Sequence, residues 1–173
     1  MIRHTRVAAE MAGICYGRSD VPLAPTFAEE AQAIRAELPC GPRLVWTSPA
    51  LRCVALAEQI TGIAPLCVDA RLAELDFGVW EGRRWEEFRS TESEAWALDP
   101  WGLRPPSGES GLALWARVAE VRAEVLRLPT EGHLVIVTHA GVIRAWLAQA
   151  ASETPGPGVW AREVKYGNLW LAV

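Results

Sequence analysis

Two Arg-and-His clusters in this sequence have the residue types needed to bind and attack a phosphoryl group. The chain holds three histidines in 173 residues. His4 follows Arg3 just after the first apolar residues, and His139 comes directly after the apolar run HLVIVT and is followed by Ala140-Gly141. Ser48 and Arg52 come directly after a second such run, RLVWT. Two guanidiniums and an imidazole suit a phosphate dianion, because the guanidinium fork matches its oxygens. Amides at the start of a helix after His139 would add positive potential. The remaining imidazole could then act as a nucleophile toward phosphorus. Each residue also has a plainer reading: a solvated strand end for Arg3-His4, a surface cation for Arg52, a satisfied core histidine for His139. Their shared position just after strands favours the chemical one. His133 precedes its strand and is expected at the opposite edge, without a role.

These residues need elements to position them. Residues 26–38 read as a helix, with Thr26 and Glu29 forming a capping box and Pro39 as the stop. Residues 43–47 read as a strand. Ser48-Pro49 start a helix ending near Gly62, with Ser48 as cap and Pro49 in the first turn. A short strand follows near 66–68. Residues 108–128 read as the longest helix, with Leu112, Trp115, Val118, Val121, Val125 and Leu128 as its apolar stripe. A buried strand spans 133–138, and a helix runs from Gly141 to about Ala151. Two short strands, 159–164 and 168–172, close the chain around a turn at Gly167-Asn168. Strand–helix alternation predicts an α/β fold with a mostly parallel central sheet, in which ligands bind beyond the carboxyl ends of the strands. Residues 76–107, with Trp80, Trp85, Trp96 and Trp101, read as an excursion covering the site within a single domain of 1–173, helical near 84–97.

Bulk composition narrows the classes. The charge count is 17 Lys and Arg against 21 Asp and Glu, a net −4. That disfavours a nucleic-acid partner, which needs a basic face, but a small anion needs only local cations. No apolar run reaches the ~20 residues of a membrane helix, and no export signal precedes the first strand. The four cysteines, Cys15, Cys40, Cys53 and Cys67, form no C-x-x-C pair. The expectation is free thiols in the cytoplasm, with Cys53 and Cys67 as small core residues.

The motifs together resemble the histidine phosphatase (phosphoglycerate mutase-like) superfamily. That family opens on Arg-His-Gly, matched by Arg3-His4-Thr5, and continues with Ser-Pro-x-x-Arg, matched by Ser48-Pro49-Ala50-Leu51-Arg52. Its L-x-E-x-x-x-G-x-W-E-G stretch corresponds to residues 72–82, placing Glu74, and P-x-G-E-S to Pro106-Ser107-Gly108-Glu109-Ser110. The closing His-x-Gly is His139-Ala140-Gly141. Five motifs in order cover most of residues 2–150. The resemblance implies a three-layer α/β/α sandwich and a phosphohistidine mechanism. His4 would be the nucleophile, Arg3, Arg52 and His139 the phosphate clamp with Ala140 beside them, and Glu74 the general acid and then base. It implies no metal and no cofactor. Two departures stand out. Thr5 replaces the family glycine, so a negative φ is expected there. Only two residues precede Arg3, which implies a very short first strand or a start further upstream.

Residues 15–23, Cys-Tyr-Gly-Arg-Ser-Asp-Val-Pro-Leu, resemble the corresponding stretch of the α-ribazole phosphatases of that superfamily. The resemblance implies a phosphomonoesterase acting on α-ribazole 5′-phosphate in cobalamin biosynthesis, with Arg18 as a further substrate contact. One or two excursion tryptophans could stack on the benzimidazole, while Trp46, Trp115, Trp146 and Trp170 belong to the core. The alternatives are another small phosphate ester such as a sugar phosphate, a phosphoglycerate mutase, or a binding module without catalysis. The expected partner is a small-molecule phosphate ester, with the chain a monomer or homodimer and no nucleic-acid or membrane partner.

Overall fold

In the computed structural model, residues 1–40, 43–62, 67–88, 91–128 and 132–170 are described. Four strands, β1 (Ile2–Arg3), β2 (Arg43–Thr47), β3 (Cys67–Val68) and β4 (His133–Thr138), form one all-parallel sheet in the order β1-β4-β2-β3. The central strands β2 and β4 pair from Arg43↔His133 to Thr47↔Val137. Both are apolar runs because both of their faces are covered. Val45, Val135 and Val137 pack on one side with residues of α1 (Phe27–Glu37) and α2 (Leu51–Thr61). Trp46 and Ile136 pack on the other with α4 (Gly111–Val125) and α5 (Ala140–Ala150). The expected α/β sandwich with a parallel sheet is therefore observed. Two short α-helices, α3 (Thr91–Leu98) and α6 (Pro157–Trp160), also lie among the described residues.

The sheet order creates the site. The chain leaves β1 and β2 toward the α1–α2 face, but leaves β4 toward the α4–α5 face. Between the neighbours β1 and β4 the connections diverge, which opens a crevice at their carboxyl ends. β1 is only two residues long, and Thr5 does not have a positive φ, as expected for a β-branched residue.

Several local expectations are corrected. Glu29 forms no capping box: the Thr26 hydroxyl instead donates to Glu30 Oε1 at 2.6 Å, and Glu30 also accepts from Arg6. Ser48 does not cap α2. The helix begins at Leu51, because Ser48 precedes a proline, which disfavours helical backbone there, and its hydroxyl is engaged by His139. The long helix starts at Gly111, capped by Ser110. Its buried stripe is Leu114, Val118, Val121 and Val125, whereas Leu112 is 50% exposed. The expected strand 159–164 is absent: α6 starts with Pro157, which donates no hydrogen bond, and Trp160 packs edge-on against Trp96 and Trp101. Of the expected strand 168–172, Leu169 makes a single antiparallel bridge to Ile2, and residues 171–172 lie outside the described residues, as does Leu66. In the excursion, residues 89–90 also lie outside, and the helix is Thr91–Leu98. Cys67 is half-buried rather than a core residue; all four cysteines are free.

Candidate active site

Arg3, His4, Arg52, Glu74, His139 and Ala140 all line one cleft of about 690 Å3 at the carboxyl ends of β1, β2 and β4. Each imidazole is fixed by its hydrogen bonds. His4 Nδ1 lies 2.8 Å from the Thr5 carbonyl oxygen. A carbonyl only accepts, so Nδ1 carries the proton and Nε2 keeps its lone pair. The backbone amide of His4 donates to Thr138 O at 3.0 Å, which ties the residue to β4. His139 takes the other tautomer: its Nδ1 faces Arg52 Nη2 at 3.3 Å, and a guanidinium only donates. Its Nε2–H therefore donates to Ser48 Oγ at 2.7 Å. The two rings meet edge to face with centroids 5.2 Å apart.

Both imidazoles are held neutral. Burial, then Arg52 and Arg3, push the His4 pKa down from 6.5 to about 3, against the opposing pull of the Thr5 hydrogen bond. Burial, then His4 and the neighbouring arginines, push His139 well below its ordinary value. The result is a neutral nucleophile in a strongly cationic pocket.

The guanidiniums are buried and anchored. Arg52, 1% exposed, donates from Nη1 to Ser19 O at 2.8 Å and from Nη2 to Gly17 O at 2.5 Å. Gly17 is required at this close approach, since a Cβ there would lie 1.9 Å from Leu75 O. Arg3 donates to Val164 O at 2.5 Å and lies 3.6 Å over the Tyr166 ring. The Nε atoms of Arg3 and Arg52 are buried with no hydrogen-bond partner among the described residues. Buried donors are nearly always paired, so both sites favour an anionic ligand as acceptor.

Glu74 is carried on the loop after β3. Its Oε1 accepts from Leu75 N at 3.0 Å and its Oε2 from Gly141 N, in the first turn of α5, at 3.2 Å. Gly141 permits this contact, since a Cβ there would sit 2.3 Å from Oε1. Arg117 braces the loop from α4, donating to Arg71 O, Ala73 O and Glu74 O while pairing with Glu109 through two short bonds.

Arg18 is not brought into the cluster. Its guanidinium faces Asp76 at 3.5 Å and Glu109 at 3.6 Å, and it lines a separate small cavity. Of the excursion tryptophans, Trp80, Trp96 and Trp101 are buried among other rings, so they cannot stack on a substrate. Trp85, with Phe77, lines the cleft beside Val7, Met11 and Ile14. His133 is exposed at the far end of β4, as expected.

The sequence reading missed Tyr16 and Tyr166. Their hydroxyls lie 3.0 Å apart, and Tyr166 stacks under Arg3 with its ring 5.5 Å from that of His4. The signal was rarity, since the chain holds only two tyrosines and both stand at the site. Among the described residues there is no cluster of His, Cys, Asp and Glu that could hold a metal ion, and no helix long and apolar enough to cross a membrane.

The family described as the histidine phosphatase superfamily (branch 1) matches residues 1–171. An adenosylcobalamin/alpha-ribazole phosphatase of Salmonella typhimurium is 25% identical over 185 aligned positions, covering 100% of this chain and 88% of that protein. A putative phosphoserine phosphatase 2 of Hydrogenobacter thermophilus is 26% identical over 151, covering 84% and 74%. The crystal structure of the alpha-ribazole phosphatase from Shigella flexneri superposes with a TM-score of 0.86 at 26% identity, covering 96% of this chain and 85% of that one.

Proposed function

The chain belongs to the histidine phosphatase superfamily (branch 1) and is a phosphatase, and from that premise we propose that it hydrolyses α-ribazole 5′-phosphate through a phosphohistidine on His4. The observation that carries the mechanism is the neutral His4, whose Nδ1 is committed to Thr5 O, so that Nε2 is free amid Arg3, Arg52 and His139. Nε2 attacks phosphorus, the bond to the ester oxygen breaks, and Glu74 gives its proton to the departing alkoxide. Arg3 and Arg52 hold the phosphoryl oxygens, His139 joins them once its Nε2–H turns from Ser48 Oγ to the bound phosphoryl group, and together they stabilise the charge that develops there. Glu74 then takes a proton from water as it attacks, the N–P bond returns its electrons to Nε2, and phosphate leaves. Each Glu74 oxygen accepts one backbone amide and keeps a lone pair for this exchange.

The α-ribazole reading is supported by the Salmonella and Shigella relatives, both named as alpha-ribazole phosphatases. The apolar wall of Val7, Met11, Ile14, Phe77 and Trp85 suits a flat aromatic leaving group. A second reading, a different small phosphate ester, is favoured by the relative named as a phosphoserine phosphatase. Turnover of α-ribazole 5′-phosphate against sugar phosphates, phosphoserine and p-nitrophenyl phosphate separates them. Preference for α-ribazole 5′-phosphate is expected, with activity unchanged in EDTA; equal turnover across the panel rejects the substrate. Trp85→Ala is expected to raise KM for α-ribazole 5′-phosphate more than for p-nitrophenyl phosphate.

A further inference from the structure

Glu74 and His139 face two cavities. Besides the cleft, they line a smaller one of about 140 Å3, and no other described residue lines both. The small cavity is walled by Gly17, Pro49, Ala50, Ala70 and Ala73, with Arg18 beside them. At roughly 30 Å3 per molecule it has room for about four waters. It is well below the ~300 Å3 of a site for an organic ligand.

We propose that this small cavity is the water entry for the second half of the reaction, a passage separate from the cleft that takes the organic group. The inference rests on the phosphohistidine reading. Hydrolysis needs one water beside Glu74, while the apolar wall of the cleft favours holding the alcohol just released. In the step served, the water oxygen bonds to phosphorus and its proton goes to Glu74. The N–P bond breaks, its electron pair returns to His4 Nε2, and inorganic phosphate departs.

The walls are built to stay open. Glycine and alanine supply four of the lining positions. The Gly17 carbonyl is held by Arg52 and that of Ala73 by Arg117. Arg18 is drawn away by its pairing with Asp76 and Glu109, and its amide is held by Glu81 at 2.9 Å. That contact accounts for Arg18 as part of this passage rather than of the phosphate clamp.

Ala70 is exposed, so Ala70→Phe obstructs the passage without disturbing the core. Ala50→Leu obstructs it from the N-cap position of α2. A single turnover of 32P-labelled p-nitrophenyl phosphate, quenched in alkali, separates the two half-reactions. Expected for both variants is an unchanged p-nitrophenol burst and a phosphoenzyme decay slowed roughly tenfold. Decay at the unsubstituted rate in both, or burst and decay falling together, overturns the passage and leaves the mechanism standing. Absence of label on His4 in the unsubstituted enzyme overturns the mechanism itself.

Discussion

At the scale of single residues, the site depends on assigning each hydrogen bond to a donor. Thr5 O and Arg52 lock the two histidines in opposite tautomers, one as nucleophile and one as donor. Arg52 carries most of this order, since it binds two loop carbonyls and His139 at once. Arg52→Lys keeps the charge and loses the fork, so kcat/KM is expected to fall by about 100-fold or more in steady-state assays. His4→Ala should abolish both turnover and labelling. The His4 pKa near 3 also sets a pH expectation. Protonation of the nucleophile then occurs far below 6.5, and kcat/KM, corrected for substrate ionisation, should show no acid limb near pH 6.5. A limb there would mean that His4 is protonated in the free enzyme. The histidines and arginines could be picked out in the sequence because they follow strands. Tyr166 could not, because it enters from a loop remote in sequence, where it stacks under Arg3 and meets the Tyr16 hydroxyl.

At the scale of elements, helix phase and helix start are the decisive features. The buried face of α4 runs through Leu114 rather than Leu112. Leu114→Ala is therefore expected to cost about 3–5 kcal/mol in urea unfolding, and Leu112→Ala less than about 0.5 kcal/mol. Both leucines are apolar and two residues apart, so the sequence pattern fits either phase; contact with the sheet and α5 selects one. The start of α5 has a second, functional constraint. Gly141→Ala would set a methyl group against the Glu74 carboxylate. Alanine favours helix over glycine by about 1 kcal/mol, so stability should hold while kcat falls by about 100-fold. Equal loss of stability and activity would show a packing role only. The β2 and β4 strands and the four helices packed on the sheet were legible from their apolar period, although the caps expected for α1 and α2 did not form. The C-terminal strands were not, because a two-residue β1 offers a partner little to pair with, and the aromatic cluster captured Trp160 instead.

At the scale of the whole molecule, the site imposes a cost on the fold. His4 and His139 are buried neutral, while in the unfolded chain each titrates near 6.5. Below pH 6.5 the unfolded chain binds more protons than the folded one, so stability falls as pH drops from 6.5 toward 3. The slope is about 1.4 kcal/mol per pH unit for each histidine so held. Urea midpoints at pH 7.5 and pH 5 should show this loss, and His4→Gln should reduce it; identical slopes would remove His4 as its source. The α/β class, the parallel sheet and the histidines and arginines at its carboxyl edge are legible in the chain, since they follow from apolar periodicity and position after strands, whereas Glu74 is legible only through the resemblance of residues 72–82 to the family motif. The tautomers, the burial that neutralises both rings, the tyrosine pair and the turn of Arg18 toward a second cavity arise from the folded arrangement. Those depend on distances between segments far apart in the chain, and hydrophobic period encodes no such distance.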